Sequence, residues 1–264
     1  MLISCLFLLL CVNSIDAYHF SGGTIRWQPI NPYDNSNSTA ITIIQSYIWS
    51  DYELGICATN VPISSSSSYS YMNLTCVGNC SADGGYATKP INSLTDCTSS
   101  NSLTDVLLSQ KSRNITLTTD AHFQLIFRGS GWPDLNQPPD PTANWSMVFS
   151  IDLRKRSDGF INTPPSASVY SPQYAIVNKT IQFRVSVTDV NTGDDIRCRW
   201  AGKFTSPLID ECGGACYPSS MPTGVTLSSC TLDFTGPFAN TWYVVAIQVR
   251  HDAIFLELCR TNLL

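Results

Sequence analysis

Ile181-Gln182-Phe183-Arg184-Val185-Ser186-Val187-Thr188 places an apolar side chain at every second position and a polar one between. Side chains switch faces at each residue of an extended chain, so this stretch reads as a strand with one buried face and one wet face. The same period recurs outward from it. Trp145, Met147, Phe149, Ile151 and Leu153 alternate with Ser146, Ser150, Asp152 and Arg154. Ile196, Cys198 and Trp200 alternate with Arg197 and Arg199. Tyr243, Val245, Ile247 and Val249 repeat the pattern, with Val244 and Ala246 making the second face apolar as well. Half-buried strands of this kind belong to antiparallel sheets.

Strands are therefore expected near 23–28, 40–49, 69–76, 114–119, 122–128 and 145–153, and then near 168–170, 180–189, 195–201, 225–227, 230–235 and 242–249. A short helix is expected only at 102–110, around Asp105, Val106, Leu107 and Leu108. The serine run 64–68 and the proline-rich stretch 129–142 read as loops. Pro164, Pro165 and Pro172 interrupt regular pairing between the two sets of strands. The fold class is all-β: two antiparallel β-sandwich modules in tandem, disulfide-stapled, with little helix. The expected divisions are a signal peptide (1–17), an N-terminal sandwich (18–156), a second sandwich (157–249) and an atypical tail (250–264). Six or seven short strands in about 90 residues is the size of an Ig-like or cadherin-like sandwich.

The cysteines support this division. Cys57, Cys76, Cys80 and Cys97 form one group of four, and Cys198, Cys212, Cys216 and Cys230 a second, with a long cysteine-free interval between. Each set most simply closes its own module, in any of three connectivities. Cys259 is left over in the tail. Leu2 to Val12 is an apolar run too short to span a bilayer, for which about 20 residues are needed. Asn13, Ser14 and then Ala17 follow it, as at a signal-peptidase site. No later apolar stretch reaches membrane-spanning length. Passage through an oxidising compartment makes disulfides the natural state of these cysteines, and the expected location is secreted or extracellular. Six N-x-S/T sequons agree: Asn37, Asn73, Asn79, Asn114, Asn144 and Asn178. At Asn79 the middle residue is Cys80, so a disulfide there competes with a glycan. The net charge of −5, with no large Lys/Arg cluster, argues against nucleic acid or an anionic membrane as partner.

Candidate chemistry is sparse. The chain has three histidines, His19, His122 and His251, and neither a G-x-S-x-G elbow nor an H-E-x-x-H pair. The C-x₃-C pairs at 76–80 and 212–216 have zinc-like spacing, but secretion favours disulfides. Asp189, Asn191, Asp194 and Asp195 form a D-x-N-x-G-D-D turn that offers alternating oxygen ligands to calcium. A hairpin in which Asp, Asn and Gly satisfy turn dihedrals explains the same residues more simply. Trp49 lies in register with Ile41, Ile43 and Tyr47 and reads as core. Trp132, between Gly131 and Pro133, reads as an exposed aromatic.

Several motifs together resemble an uncharacterised family of metazoan secreted or cell-surface proteins. They are an F-x-G-G-T-I-x-W start (Phe20 to Trp27), a D-L-x-x-R-S segment (Asp152 to Ser157) and R-C-R-W (Arg197 to Trp200). An E-C-G-G-x-C loop (Glu211 to Cys216) and a W-Y-x-V-A-I-Q-V strand (Trp242 to Val249) complete the set. The second half also resembles cadherin-like and Ig-like sandwiches. Membership implies a pair of extracellular sandwiches and no established activity. The chain departs from the family pattern after Val249: Arg250, His251 and Asp252 lead into Ala253 to Leu264, which contains Cys259 and reads as neither strand nor turn. The expectation is a truncated or mis-spliced end, with the last sandwich strand missing and a sheet edge open.

These readings lead to a non-enzymatic extracellular recognition or adhesion module, with an extracellular protein or glycan as partner and no cofactor required. A lectin-like carbohydrate binder is the alternative, and a secreted hydrolase the next.

Overall fold

The computed structural model describes residues 19–50, 57, 73–101, 103, 106–130, 132, 135–137, 144–168, 172–205, 208–249 and 252–262. The expected leader, the serine run and the start of the 69–76 strand lie outside these. The first half contains β1 (His19–Pro29), β2 (Ser38–Ser50), β3 (Thr75–Gly78), β4 (Asp96–Asn101), β5 (Val106–Thr118), β6 (His122–Ser130), β7 (Leu135–Gln137) and β8 (Asn144–Asp152). The second half contains β9 (Ser166–Ser168), β10 (Gln173–Ile176), β11 (Ile181–Arg184), β12 (Ser186–Thr188), β13 (Cys198–Trp200), β14 (Lys203–Thr205), β15 (Leu208–Asp210), β16 (Thr226–Ser228), β17 (Thr231–Phe234), β18 (Trp242–Val249) and β19 (Asp252–Asn262). Among the described residues, the only helices are short 3₁₀ turns at Cys80–Ala82 and Tyr86–Thr88. None is long and apolar enough to cross a membrane.

The protein is all-β and stapled by four disulfides. One long sheet runs β13-β18-β19-β1-β2-β5-β4, with β10 joined to β19 and β7 to β18. Its pairings are antiparallel except those of β10 and β7. A sheet β3-β6-β8 packs on one face of it, and a sheet β11-β17-β16 serves the other.

The period of two in β18 explains how one strand serves two cores. Val244 and Ala246 point into the core shared with Phe20, Ile25, Ile43, Phe149 and Ile151. Tyr243, Val245, Ile247 and Val249 point into a second core with Val185, Leu232 and Phe234. Each large apolar side chain so buried contributes about 1.5–3 kcal/mol. The two sandwiches each keep a core, yet the long sheet passes from one to the other without a break.

Two expectations are corrected. The tail is not structureless: β19 pairs antiparallel with both β18 and β1, from Val249↔Asp252 to Tyr243↔Leu258 on one side and Gly22↔Leu256 to Ile25↔Ala253 on the other. The edge of β18 expected to be open is therefore covered. The helix expected at 102–110 is replaced at its C-terminal end by β5, which pairs along its whole length with β2 from Ser50↔Val106 to Ser38↔Thr118. Ladder pairing with two neighbours outweighs the weak local helix preference of Val106-Leu107-Leu108.

The outer face of β8 also differs from its pattern. Ser146 is buried and its hydroxyl donates to the main-chain oxygen of Asp210. The β14–β15 hairpin of the second half lies there, with Ile209 packed on Ile126 and Val148.

Candidate functional site

The E-C-G-G-x-C loop and the R-C-R-W strand meet where the halves join. Glu211 is almost fully buried, and its carboxylate accepts from Arg199 Nη1 at 2.7 Å, Arg199 Nη2 at 2.8 Å and the Gly202 amide at 3.1 Å. This forked pairing holds a buried carboxylate without leaving a lone charge. It also raises the Arg199 pKa, through the hydrogen bond first. One turn on, the Gly214 amide donates to the main-chain oxygen of Asn144 at 2.9 Å. Gly213 sits at φ +60°, and a Cβ there would lie 2.2 Å from that oxygen, so no other residue fits. Trp200 stacks on Tyr217 beside this loop at 4.2 Å.

The eight cysteines form Cys57–Cys97, Cys76–Cys80, Cys198–Cys230 and Cys212–Cys216. Cys198 belongs to the long sheet, and Cys230 directly precedes β17, so this bond ties two sheets together. Asp210, Cys212 and Cys216 are the one group of three potential metal-ligating residues within 4.8 Å among the described residues. Both sulfurs are spent in a disulfide, and Asp210 Oδ1 accepts the amides of Cys212 and Gly213 at 3.1 and 2.8 Å.

The D-x-N-x-G-D-D turn disperses its oxygens instead of converging them. Asp189 Oδ1 accepts the Asn191 amide at 2.8 Å, and Asn191 Oδ1 accepts the Thr163 amide at 3.1 Å. Asp194 pairs with Arg156 at 2.9 Å and Asp195 with Arg197 at 2.5 Å. His122 opens β6 opposite Asp152, with Nδ1 2.9 Å from the main-chain oxygen of Asp120.

All six sequon asparagines are exposed: Asn37, Asn73, Asn79, Asn114, Asn144 and Asn178. Asn79 stands apart, because it sits at φ 52° inside the loop closed by Cys76–Cys80.

Trp132 is a correction. It is 7% exposed, with its ring 5.3 Å from Phe20 and 5.8 Å from Trp145. Burying a ring in an aromatic cluster outweighs the loop character of its neighbours. Trp49 packs against the same core, as expected, and its indole donates to Ser109 Oγ at 3.1 Å. Sequence reasoning noted both loop and strand motifs but missed the Arg199–Glu211 pair that joins them.

No family model and no curated protein matches the chain. Among solved structures it is similar to the full ectodomain (Ig1–Ig3) of mouse nectin-like molecule 4. The match has 8% sequence identity and a TM-score of 0.24, and covers 92% of this chain and 65% of that one. The chain thus spans a little under two thirds of that ectodomain, and a TM-score of this size does not define a common topology. The family resemblance rests on its motifs alone.

Proposed function

We propose that this chain is a non-enzymatic extracellular recognition or adhesion module, secreted after removal of residues 1–17 and glycosylated on several sequons. The observation that carries this reading is the exposure of all six sequon asparagines in a molecule closed by four disulfides. Asn114 is the most telling, since it lies within a long strand and still falls on the wet face. Glycans need solvent, and disulfides persist outside the cell. The partner is an extracellular protein or glycan. An open cleft of about 690 Å³ offers one place for contact, lined by Arg184, Ser186, Asp195 and Arg197 over the Cys198–Cys230 bond.

Binding of the secreted, glycosylated chain to arrays of extracellular proteins and glycans tests the reading. Saturable binding to a defined partner supports it. Empty arrays accompanied by hydrolytic turnover of an array component contradict it and favour the hydrolase.

A further inference from the structure

A glycan transferase must seize two side chains of a sequon: the asparagine amide that takes the sugar and the hydroxyl two residues on. Folding can hide the second while the first stays in solvent, and the six sequons divide on that point. Thr75, Ser81, Thr116 and Thr180 are exposed, beside Asn73, Asn79, Asn114 and Asn178. Thr39 and Ser146, which complete the sequons of Asn37 and Asn144, are each 1% exposed.

Different parts of the chain close these two. Thr39 lies on β2 opposite Leu117 of β5, in step with inward-pointing Ile41 and Ile43, so the first half buries it. Ser146 alternates with Trp145 and Met147, whose side chains enter the first core, and so falls on the outer face of β8. The second half covers that face. Ile209 of the β14–β15 hairpin packs on Ile126 and Val148, and the Ser146 hydroxyl donates to the main-chain oxygen of Asp210. The Gly214 amide holds the main-chain oxygen of Asn144 at 2.9 Å. Asn144 therefore keeps an exposed side chain in a sequon whose backbone and hydroxyl are bound by residues made later.

Sequence separation sets the time available. Asp210 follows Ser146 by 64 residues. Synthesis at about 5–20 residues per second delivers it about 3–13 s later. Until then the hydroxyl has no hairpin over it. Once the halves join, a transferase would have to lift the hairpin and leave buried polar groups unpaired. We propose that joining of the two halves competes with glycosylation of Asn144 and ends it, so that the chain is a mixture with and without a glycan there. This rests on the glycosylation proposed above and adds control of one site by the fold.

Glycopeptide mass spectrometry of the full chain, from cells and medium together, reads the occupancy of every sequon. In the parent, Asn144 is expected to be partly occupied. Gly213→Ala strains the loop that docks on Asn144, and Cys212→Ser with Cys216→Ser opens it. Each is expected to raise occupancy at Asn144 while Asn37, Asn73, Asn114 and Asn178 stay as in the parent. Gly159→Ala, with open space at its would-be Cβ, is expected to leave Asn144 unchanged. Dithiothreitol added to the cells delays disulfide closure and is expected to raise Asn144, and Asn79 as well because Cys80 is then free. Full occupancy of Asn144 in the parent, no rise in either junction variant, or an equal rise at Asn37 would each overturn the proposal. Any of these with glycans at other sequons leaves the extracellular reading standing. A chain bare at all six positions in every arm would overturn both.

Discussion

Gly213 lies so close to the main-chain oxygen of Asn144 that a Cβ there would fall 2.2 Å from it, and with the Gly214 amide bonded to the same oxygen, residues far apart in sequence hold the second half of the chain onto the first. An alanine there must both adopt φ near +60° and displace backbone. Gly213→Ala is expected to destabilise by about 2–4 kcal/mol in chemical denaturation. Gly159, at φ +87° with nothing near its would-be Cβ, is the control, and Gly159→Ala should cost only about 1 kcal/mol. Equal effects would show that the Asn144 contact is not tight in solution.

Trp132→Ala should act on stability and not on recognition. Its ring fills space against Phe20 and Trp145, so truncation is expected to cost about 3–5 kcal/mol, read by thermal or denaturant unfolding. An unchanged midpoint would return Trp132 to the surface.

The disulfides should differ in worth according to the loops they close. Replacing Cys198 and Cys230 by serine opens a loop with a sequence separation of 32, and chain entropy sets the loss at about 4 kcal/mol. The corresponding Cys76 and Cys80 change opens a separation of 4, for about 2 kcal/mol. Denaturation midpoints of the two double variants check the order.

Alkaline titration should reveal two silent tyrosines. Burial pushes the Tyr47 hydroxyl well above its usual range, and burial also raises Tyr86 to about 12 against the lowering effect of the Ile91 amide. Both groups have folded values above the unfolded value near 10. Their stabilisation is complete below pH about 10 and is lost as pH rises through the folded values. Stability should therefore fall above pH 10, with tyrosinate absorbance from these two appearing only on unfolding. Tyr86→Phe should flatten that slope.

Much of this architecture is legible in the sequence wherever one face of a strand meets water. Residues 181–188 announce themselves by alternation because burial and exposure alternate there, whereas 145–153 and 243–249 alternate only in part by residue type, and Ser146, Val148, Val244 and Ala246 are buried as well. β19 escapes the same test because apolar residues follow one another through Ala253-Ile254-Phe255-Leu256, with no polar alternation to mark a strand. The first part of β5 escapes for the opposite reason, although its end was expected as a strand near 114–119: an inward position is polar. Ser109 is buried, accepts from Trp49, and is joined to Thr95 Oγ1 at 2.7 Å. A buried polar network erases the apolar period without changing the fold. Trp132 depends on contacts with residues more than ten positions away, and its Gly and Pro neighbours carry no trace of them. In the junction, the partners Arg199 and Glu211 were each visible in a motif, but only the hairpin between them brings them together.

Peptide mapping of the unreduced, secreted chain tests the central claim most directly, because it reads cross-links and glycans in one experiment. The account predicts Cys57–Cys97, Cys76–Cys80, Cys198–Cys230 and Cys212–Cys216, with glycans on several of the exposed asparagines and the least on Asn79. Bonds joining the first four cysteines to the second four, or free thiols at all eight with every asparagine bare, would contradict it.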